Sequence, residues 1–240
     1  FGVTLGIAFS ANVLTMYLFY ELLTLATLPL VMHHMDGKAR YAGRIYLTYS
    51  MCGAALGFIA MVLMIEHGAV FFQFGGSVAV TPDKENTLRM AYILGFFGFG
   101  VKAAVFPGHK WLLRASVAPT PVTALLHAVA VVKAGVFAVA RITWYGFGPE
   151  LLRGSWCQYL AMGAALFTIV YASSKALRTK HLKRRLAWST ISNLSYILLG
   201  IAALTTAGLA AGMVHLVVHA VLKITLFFCV GAIHYKMHRD

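Results

Sequence analysis

The sequence predicts an all-α, polytopic membrane helix bundle, on three observations. Sixty per cent of its 240 residues are apolar and 11% are charged, with a mean hydropathy of +0.78. Soluble domains run nearer to about 45–50% apolar and about 25% charged. The apolar residues fall in runs of about 20, the length that crosses a bilayer as a helix. Glu21, Lys102, Lys133 and Lys223 lie inside those runs. At membrane depth an ionisable side chain is costly and is rare unless it serves transport, a proton relay or a ligand.

In chain order the runs give spans near 10–33, 44–66, 89–107, 120–143, 156–175, 186–205 and 210–234, with an apolar helical stub over 1–9. In the first span Tyr17, Glu21 and Thr24 share one helical face, so the carboxylate points into the bundle or ties two helices together. The third span runs into Phe106-Pro107-Gly108-His109, followed by Trp111-Leu112-Leu113-Arg114 and then Pro119 and Pro121. Proline removes a helix hydrogen bond and disfavours helix at the residue before it, so a helix break is expected at Pro107 and Gly108. Transporters use such breaks to build ion sites; the bland alternative is an ordinary helix end with an interfacial tryptophan. Lys102 precedes the break and follows Gly95, Gly98 and Gly100, small residues that let helices approach closely. It either sits in that packed interior or snorkels to the nearby surface.

Lys133 is central in the fourth span, with His127 six residues earlier. At about 100° per residue the two fall on different faces, towards two successive neighbours. His127 alone also reads as a hydrogen-bonded packing residue. The sixth span carries a polar line of Ser189, Ser192, Asn193, Ser195 and Tyr196. In the seventh, His215, His219 and Lys223 repeat every four residues and form one stripe. Two such stripes can hold a file of water between them.

Lys and Arg alternate unequally between the two sides of these spans. One side receives Lys38, Arg40, Arg44, Lys110, Arg114, Lys175, Arg178, Lys180, Lys183, Arg184, Arg185, Lys236 and Arg239; the other receives Lys84, Arg89, Arg141 and Arg153. Basic loops stay in the cytoplasm, so the first and last complete spans are expected to run from outside to inside. The formal charge of +13 has the same origin and implies no nucleic-acid partner. His33-His34 falls in a basic loop and reads as solvated.

Cys52, Cys157 and Cys229 are scattered without CxxC spacing, so neither a disulfide framework nor a cysteine metal site is implied. The i,i+4 histidine pair lacks a third zinc ligand. No phosphate loop, nucleophile elbow or catalytic carboxylate pair is found, so no cofactor, metal or catalytic centre is expected. Membrane histidines also ligate haem. A cytochrome b-like electron carrier is therefore the rival reading, though it leaves the lysines and Glu21 unexplained. No secretory leader is expected, since Phe1 is followed by no basic n-region, and Phe1 at the start points to a piece of a longer protein.

The segments Lys102-Ala-Ala-Val-Phe-Pro-Gly-His-Lys-Trp-Leu, Ala118-Pro-Thr-Pro-Val-Thr-Ala-Leu-Leu-His-Ala and Val132-Lys-Ala-Gly-Val carry a specific resemblance. So do Leu182-Lys-Arg-Arg-Leu-Ala-Trp-Ser-Thr-Ile-Ser-Asn-Leu-Ser-Tyr and His215-Leu-Val-Val-His-Ala-Val-Leu-Lys-Ile-Thr-Leu-Phe-Phe. Across essentially its whole length the chain resembles the antiporter-like proton-translocating subunits of respiratory complex I, Mrp-type cation/proton antiporters and membrane-bound hydrogenases. The resemblance implies a fold of inverted five-helix repeats, residues 1–143 covering most of the first and 144–240 part of the second. It implies a midplane chain of protonatable groups: Glu21 gating Lys102, His127 and Lys133 connecting, Lys183, His215, His219 and Lys223 continuing.

An exit path would lie beyond Asp240, in a second broken helix. The implied partners are other membrane subunits, which carry any redox chemistry; the implied ions are protons, with Na⁺ or K⁺ exchange left open. The implied location is the cytoplasmic membrane of a prokaryote. Two segments depart from the family pattern. The usual Trp-Leu-Pro-Asp/Glu-Ala reads Trp111-Leu-Leu-Arg-Ala, and a common Asp before Leu-Lys-Arg is His181. Around Lys133, Val-Lys-Ala-Gly leans towards the Mrp-like and hydrogenase-like members.

Overall fold

The computed structural model describes residues 1–237; Arg239, counted above with the basic side, lies outside them. Helix α1 (Gly2–Phe9) is the expected stub, pinned to α2 (Val13–Val31) with Ile7 buried. Asn12 caps α2 by accepting the Thr15 N–H at 2.7 Å, and Asp36 caps α3 (Gly37–Glu66) by accepting the Ala39 N–H at 2.6 Å. These caps satisfy donors that a helix start leaves unpaired. Then follow α4 (Glu85–Gly100), α5 (Lys110–Ala115), α6 (Thr120–Ala124), α7 (Val131–Arg141) and α8 (Pro149–Leu152). The long helices α9 (Trp156–Arg178), α10 (Leu182–Ala202) and α11 (Thr206–Met237) complete the bundle. Among the described residues the only β pairing is a single bridge, Asn12 with Phe71.

Among the described residues five segments are long and apolar enough to cross a membrane: α2, α3, Thr120–Phe147, α9 and α11. The other two expected spans are helical but fall short of that measure for physical reasons. α4 has only 16 residues before the chain breaks, and α10 opens on Lys183-Arg184-Arg185 and carries the polar line. The expected unbroken span 120–143 is a correction. After α6 the chain makes a π-helical turn at Leu125–Val129, restarts as α7, then makes a second π turn at Ile142–Phe147, reaching into what was expected to be loop.

Segment 67–84 closes one end of the bundle. Its Gln73 and Ser77 N–H groups donate to the Tyr145 and Gly146 carbonyls at 3.1 and 2.8 Å. Arg141 donates to the Ser10 carbonyl at 2.6 Å, with its guanidinium 4.7 Å from the Phe72 ring centre. At the other end Lys38, Arg114, Lys183, Arg184 and His234 surround one cavity. Four of the basic residues assigned to one side by sequence, Lys38, Arg114, Lys183 and Arg184, are thus brought together by the fold.

The core is held tight by glycine where α3 meets α4. A Cβ on Gly98 would lie 2.5 Å from the Gly57 nitrogen and 2.8 Å from the Gly53 carbonyl oxygen. Both obstacles are backbone, so neither helix can yield without separating. Gly98→Ala is expected to destabilise the protein by about 1–3 kcal/mol, read as a lower thermal-unfolding midpoint. Gly163→Ala on α9, with nothing within 4 Å of the added carbon, is expected to leave the midpoint unchanged.

Candidate functional site

The site begins at the break after α4. The sequence places it at Pro107 and Gly108; the chain in fact leaves the helix at Val101 and resumes at Lys110, with a cis Phe106–Pro107 peptide and Ala104 at φ +59°. Lys102 therefore sits within the unwound segment, not on a helix leading into it. A helix end inside a membrane exposes carbonyls that water cannot reach, and here each finds a donor. The Phe99 carbonyl accepts from the Tyr20 hydroxyl at 3.1 Å and the Gly100 carbonyl from the Val105 N–H at 3.1 Å. The Val101 carbonyl accepts from Trp111 Nε1 at 2.7 Å and from the Ala104 N–H at 3.0 Å. The Phe106 N–H donates to Thr168 Oγ1 of α9 at 3.1 Å. Trp111 is fully buried, so the interfacial alternative fails.

Lys102 is likewise fully buried (0% exposed), which rules out snorkelling. Its ammonium donates to the Tyr20 carbonyl and lies 3.4 Å from the centre of the Tyr20 ring. Glu21, the next residue, is half-buried, and its Oε1 is buried without a hydrogen-bond partner. Glu21 and Lys102 lie within electrostatic reach of one another. They do not form an ion pair: the only one among the described residues joins Arg89 and Glu85 at 2.5 Å. Of the residues expected on the Glu21 face, Thr24 is buried with its hydroxyl unpartnered, while Tyr17 turns to the Ala54 carbonyl at 3.4 Å.

A second cluster joins α7, α10 and α11. Lys133 Nζ meets His219 Nδ1 at 2.7 Å, both residues nearly buried (6% and 2% exposed). His215 Nε2 meets Asn193 Oδ1 at 3.1 Å, and the Lys223 ammonium donates to Ser189 Oγ and to the Leu186 carbonyl, the latter at 3.3 Å. The two polar stripes do face each other at Ser189 and Asn193. Ser192 turns instead to Ser173 on α9 at 2.8 Å, and Tyr196 is exposed.

The separation of His127 from Lys133 needs correcting. The His127 ring packs 5.2 Å from Phe227 of α11, and Lys133 also reaches α11. The π turn at Leu125–Val129 and the restart after Ala130 change the helical phase, so a count of about 100° per residue misplaces them. Both His127 ring nitrogens are buried without hydrogen-bond partners.

The two clusters touch through backbone. A Cβ on Gly135 would fall 2.5 Å from the Ala103 nitrogen and 2.8 Å from the Lys102 carbonyl carbon, so α7 lies directly on the unwound segment two residues after Lys133. No hydrogen bond among the described residues joins Lys102 to Lys133. Lys183 is not drawn into either cluster; it lines the cavity at the basic end.

Three groups escaped the sequence reading: Tyr20, which contacts Lys102 through ring and carbonyl; Trp111 as a donor to the break; and Tyr46, bonded to Thr27 at 2.7 Å and packed 5.1 Å from Trp111. Tyr20 had one available signal, an aromatic beside an intramembrane carboxylate. The haem reading finds no geometric support. His215 and His219 lie side by side on one face of α11, rings 6.1 Å apart, and each is engaged with a different neighbour. No cluster of three His, Cys, Asp or Glu suited to a metal occurs among the described residues.

Residues 10–240 match the family model described as NADH:quinone oxidoreductase/Mrp antiporter, TM. Hydrogenase-4 component B of Escherichia coli is 33% identical over 235 residues, 91% of this chain and 34% of that protein. A Na(+)/H(+) antiporter subunit of Alkalihalophilus pseudofirmus is 32% identical over 253 residues, 98% of this chain and 31% of that protein. This chain thus spans about a third of the length of the curated relatives it matches. Among solved structures, a chain of the Mrp complex from Dietzia sp. DQ12-45-1b superposes with a TM-score of 0.87 at 24% identity, covering 99% of this chain and 44% of that one. A chain of an archaeal membrane-bound sulfane sulfur reductase gives 0.82 at 23% identity, covering 99% and 48%. The chain belongs to the NADH:quinone oxidoreductase/Mrp antiporter transmembrane family, and is an integral, multi-pass membrane protein.

Two contacts at this site are open to direct test. Trp111→Phe keeps the ring but leaves the Val101 carbonyl one donor short, and is expected to cost about 1–3 kcal/mol in unfolding. For the Lys133–His219 contact, a double-mutant cycle with Lys133→Met and His219→Leu is expected to give a coupling of about 0.5–3 kcal/mol. Additive single effects would show that the contact carries no energy.

Proposed function

We propose that this member of the family is a proton-translocating subunit of a larger membrane assembly, and that protons pass laterally from Lys102 through Lys133 to Lys223. The observation that carries the reading is the partner chosen by each buried lysine. Lys102 is held by a carbonyl, Lys133 by an imidazole, and Lys223 by a hydroxyl and a carbonyl. A lysine in a buried ion pair cannot lose its proton without stranding a carboxylate in a low-dielectric interior. A lysine on a neutral acceptor strands nothing, so both charge states are tolerated. That is what a relay needs, and it is more than a structural tie requires.

Glu21 sets the charge of Lys102 in this scheme. It lies close enough to act on the ammonium through space, with a buried oxygen that is free of hydrogen bonds. His219 links the lysines of α7 and α11, and His127 and His215 flank the line. The orphan nitrogens of His127 and His219 are where water would complete a proton wire. Lys183 stands at the basic end, where uptake would begin. The chain supplies most of the first repeat of the fold and part of the second, residues 1–143 and 144–240. Its basic end faces the cytoplasm of a prokaryotic cell, and exchange against Na⁺ or K⁺ is compatible with the same groups. Any redox chemistry resides in partner subunits.

Glu21→Gln and Lys133→Met, each made in the assembled complex, are expected to lower proton transport into membrane vesicles by about tenfold or more, followed with a pH-sensitive dye. Assembly, read by native gel, should be unchanged, and Glu21→Asp should retain part of the activity. Transport at the normal rate in Lys133→Met would reduce that lysine to a packing residue and sink the relay.

A further inference from the structure

We propose that the cavity at the basic end binds the phosphodiester headgroup of an anionic phospholipid. The cavity, about 620 Å³, lies where α3, α5, α10 and α11 meet, and is lined by Lys38, Arg114, Lys183 and Arg184. His181 and His234 also reach it, and no carboxylate lines it among the described residues. None of the four Lys and Arg side chains has a carboxylate within 4 Å among the described residues. The acid nearest in sequence, Asp36, is committed to capping α3 through the Ala39 N–H.

The field is made more positive by one of these helices. Of the four, α10 starts at the cavity with no acidic residue at its N-cap or in its first turn. Lys183 and Arg184 lie in that first turn, and cations at the positive end of a helix dipole are unfavourably placed, an arrangement that a bound anion would relieve.

A lipid fits better than a free anion because of what borders the charges. Val117 and Tyr41 line the same cavity and are exposed, and Arg114 lies 5.5 Å from the Tyr41 ring centre. An apolar rim beside a cationic floor at the ends of membrane-spanning helices suits a molecule with a phosphate and acyl chains. Basic pockets between transmembrane helices on the cytoplasmic side bind such headgroups.

The test uses the full-length protein in its complex, in zwitterionic nanodiscs doped with phosphatidylglycerol. Retained phosphatidylglycerol is counted by native mass spectrometry. The Lys38→Glu, Arg114→Glu double variant should retain it about tenfold less well than the parent, with phosphatidylcholine retention unchanged. Arg178→Glu, a basic residue outside the cavity, is the control and should retain it normally. Equal retention by the double variant, or equal loss in the control, overturns the site. Displacement of the lipid by millimolar inorganic phosphate overturns the lipid assignment in favour of a free anion. Because these side chains are exposed, correct folding of each variant is verified by its unchanged elution with the complex.

Discussion

The unwound backbone between Gly100 and Lys110 is the constraint on which the rest of the structure depends. In a bilayer every freed carbonyl and N–H must be satisfied from within the protein, and three separate parts of the chain are recruited to do so. Tyr20 comes from α2, Trp111 from the helix immediately after the break, and Thr168 from α9. These donors fix the distances between α2, α4 and α9. They also place Tyr20 so that its carbonyl and ring enclose the Lys102 ammonium. The same residue that repairs the broken helix therefore houses the charge. The glycine contact between α3 and α4 brings a third helix up to the break.

The second cluster obeys different physics. Its groups sit on regular helices, and what brings them into line is the phase shift of the π turn before α7. Without that turn His127 and Lys133 would address different neighbours; with it both face α11. Interruptions of this kind recur at functional positions, and here the consequence is a contact between a lysine and an imidazole across two helices. While Lys133 is charged the imidazole accepts at Nδ1, and the neutral ring then carries its hydrogen on Nε2.

Much of this was legible in the residues themselves. The apolar runs gave the spans, the Lys and Arg alternation gave the basic end that Lys38, Arg114 and Arg184 occupy together, and Ser189 and Asn193 proved to be the partners expected of the last stripe. What periodicity missed has a common cause. It assumes a regular helix of about 100° per residue, and the misplacements arise where the helix is irregular: the start of the break at Val101 and the bearing of Lys133 relative to His127. Tyr20 and Tyr46 were missed for another reason. A tyrosine in an apolar run looks the same whether its hydroxyl reaches a carbonyl, a threonine or the membrane surface, and only the tertiary contact decides.

The close approach of Gly135 to the Lys102–Ala103 peptide ties the two clusters together. Backbone lying on backbone at this spacing leaves no side chain to absorb a displacement. A shift of the unwound segment, such as a change of charge on Lys102 would favour, must either open a gap against α7 or carry α7 with it. Lys133 lies two residues along that helix, in contact with His219, so the second outcome would alter the lysine–imidazole distance. No hydrogen-bonded chain runs from Lys102 to Lys133, yet the two need not be electrically wired to be coupled. Close packing of Gly135 on the Lys102–Ala103 peptide provides a mechanical link between the two clusters.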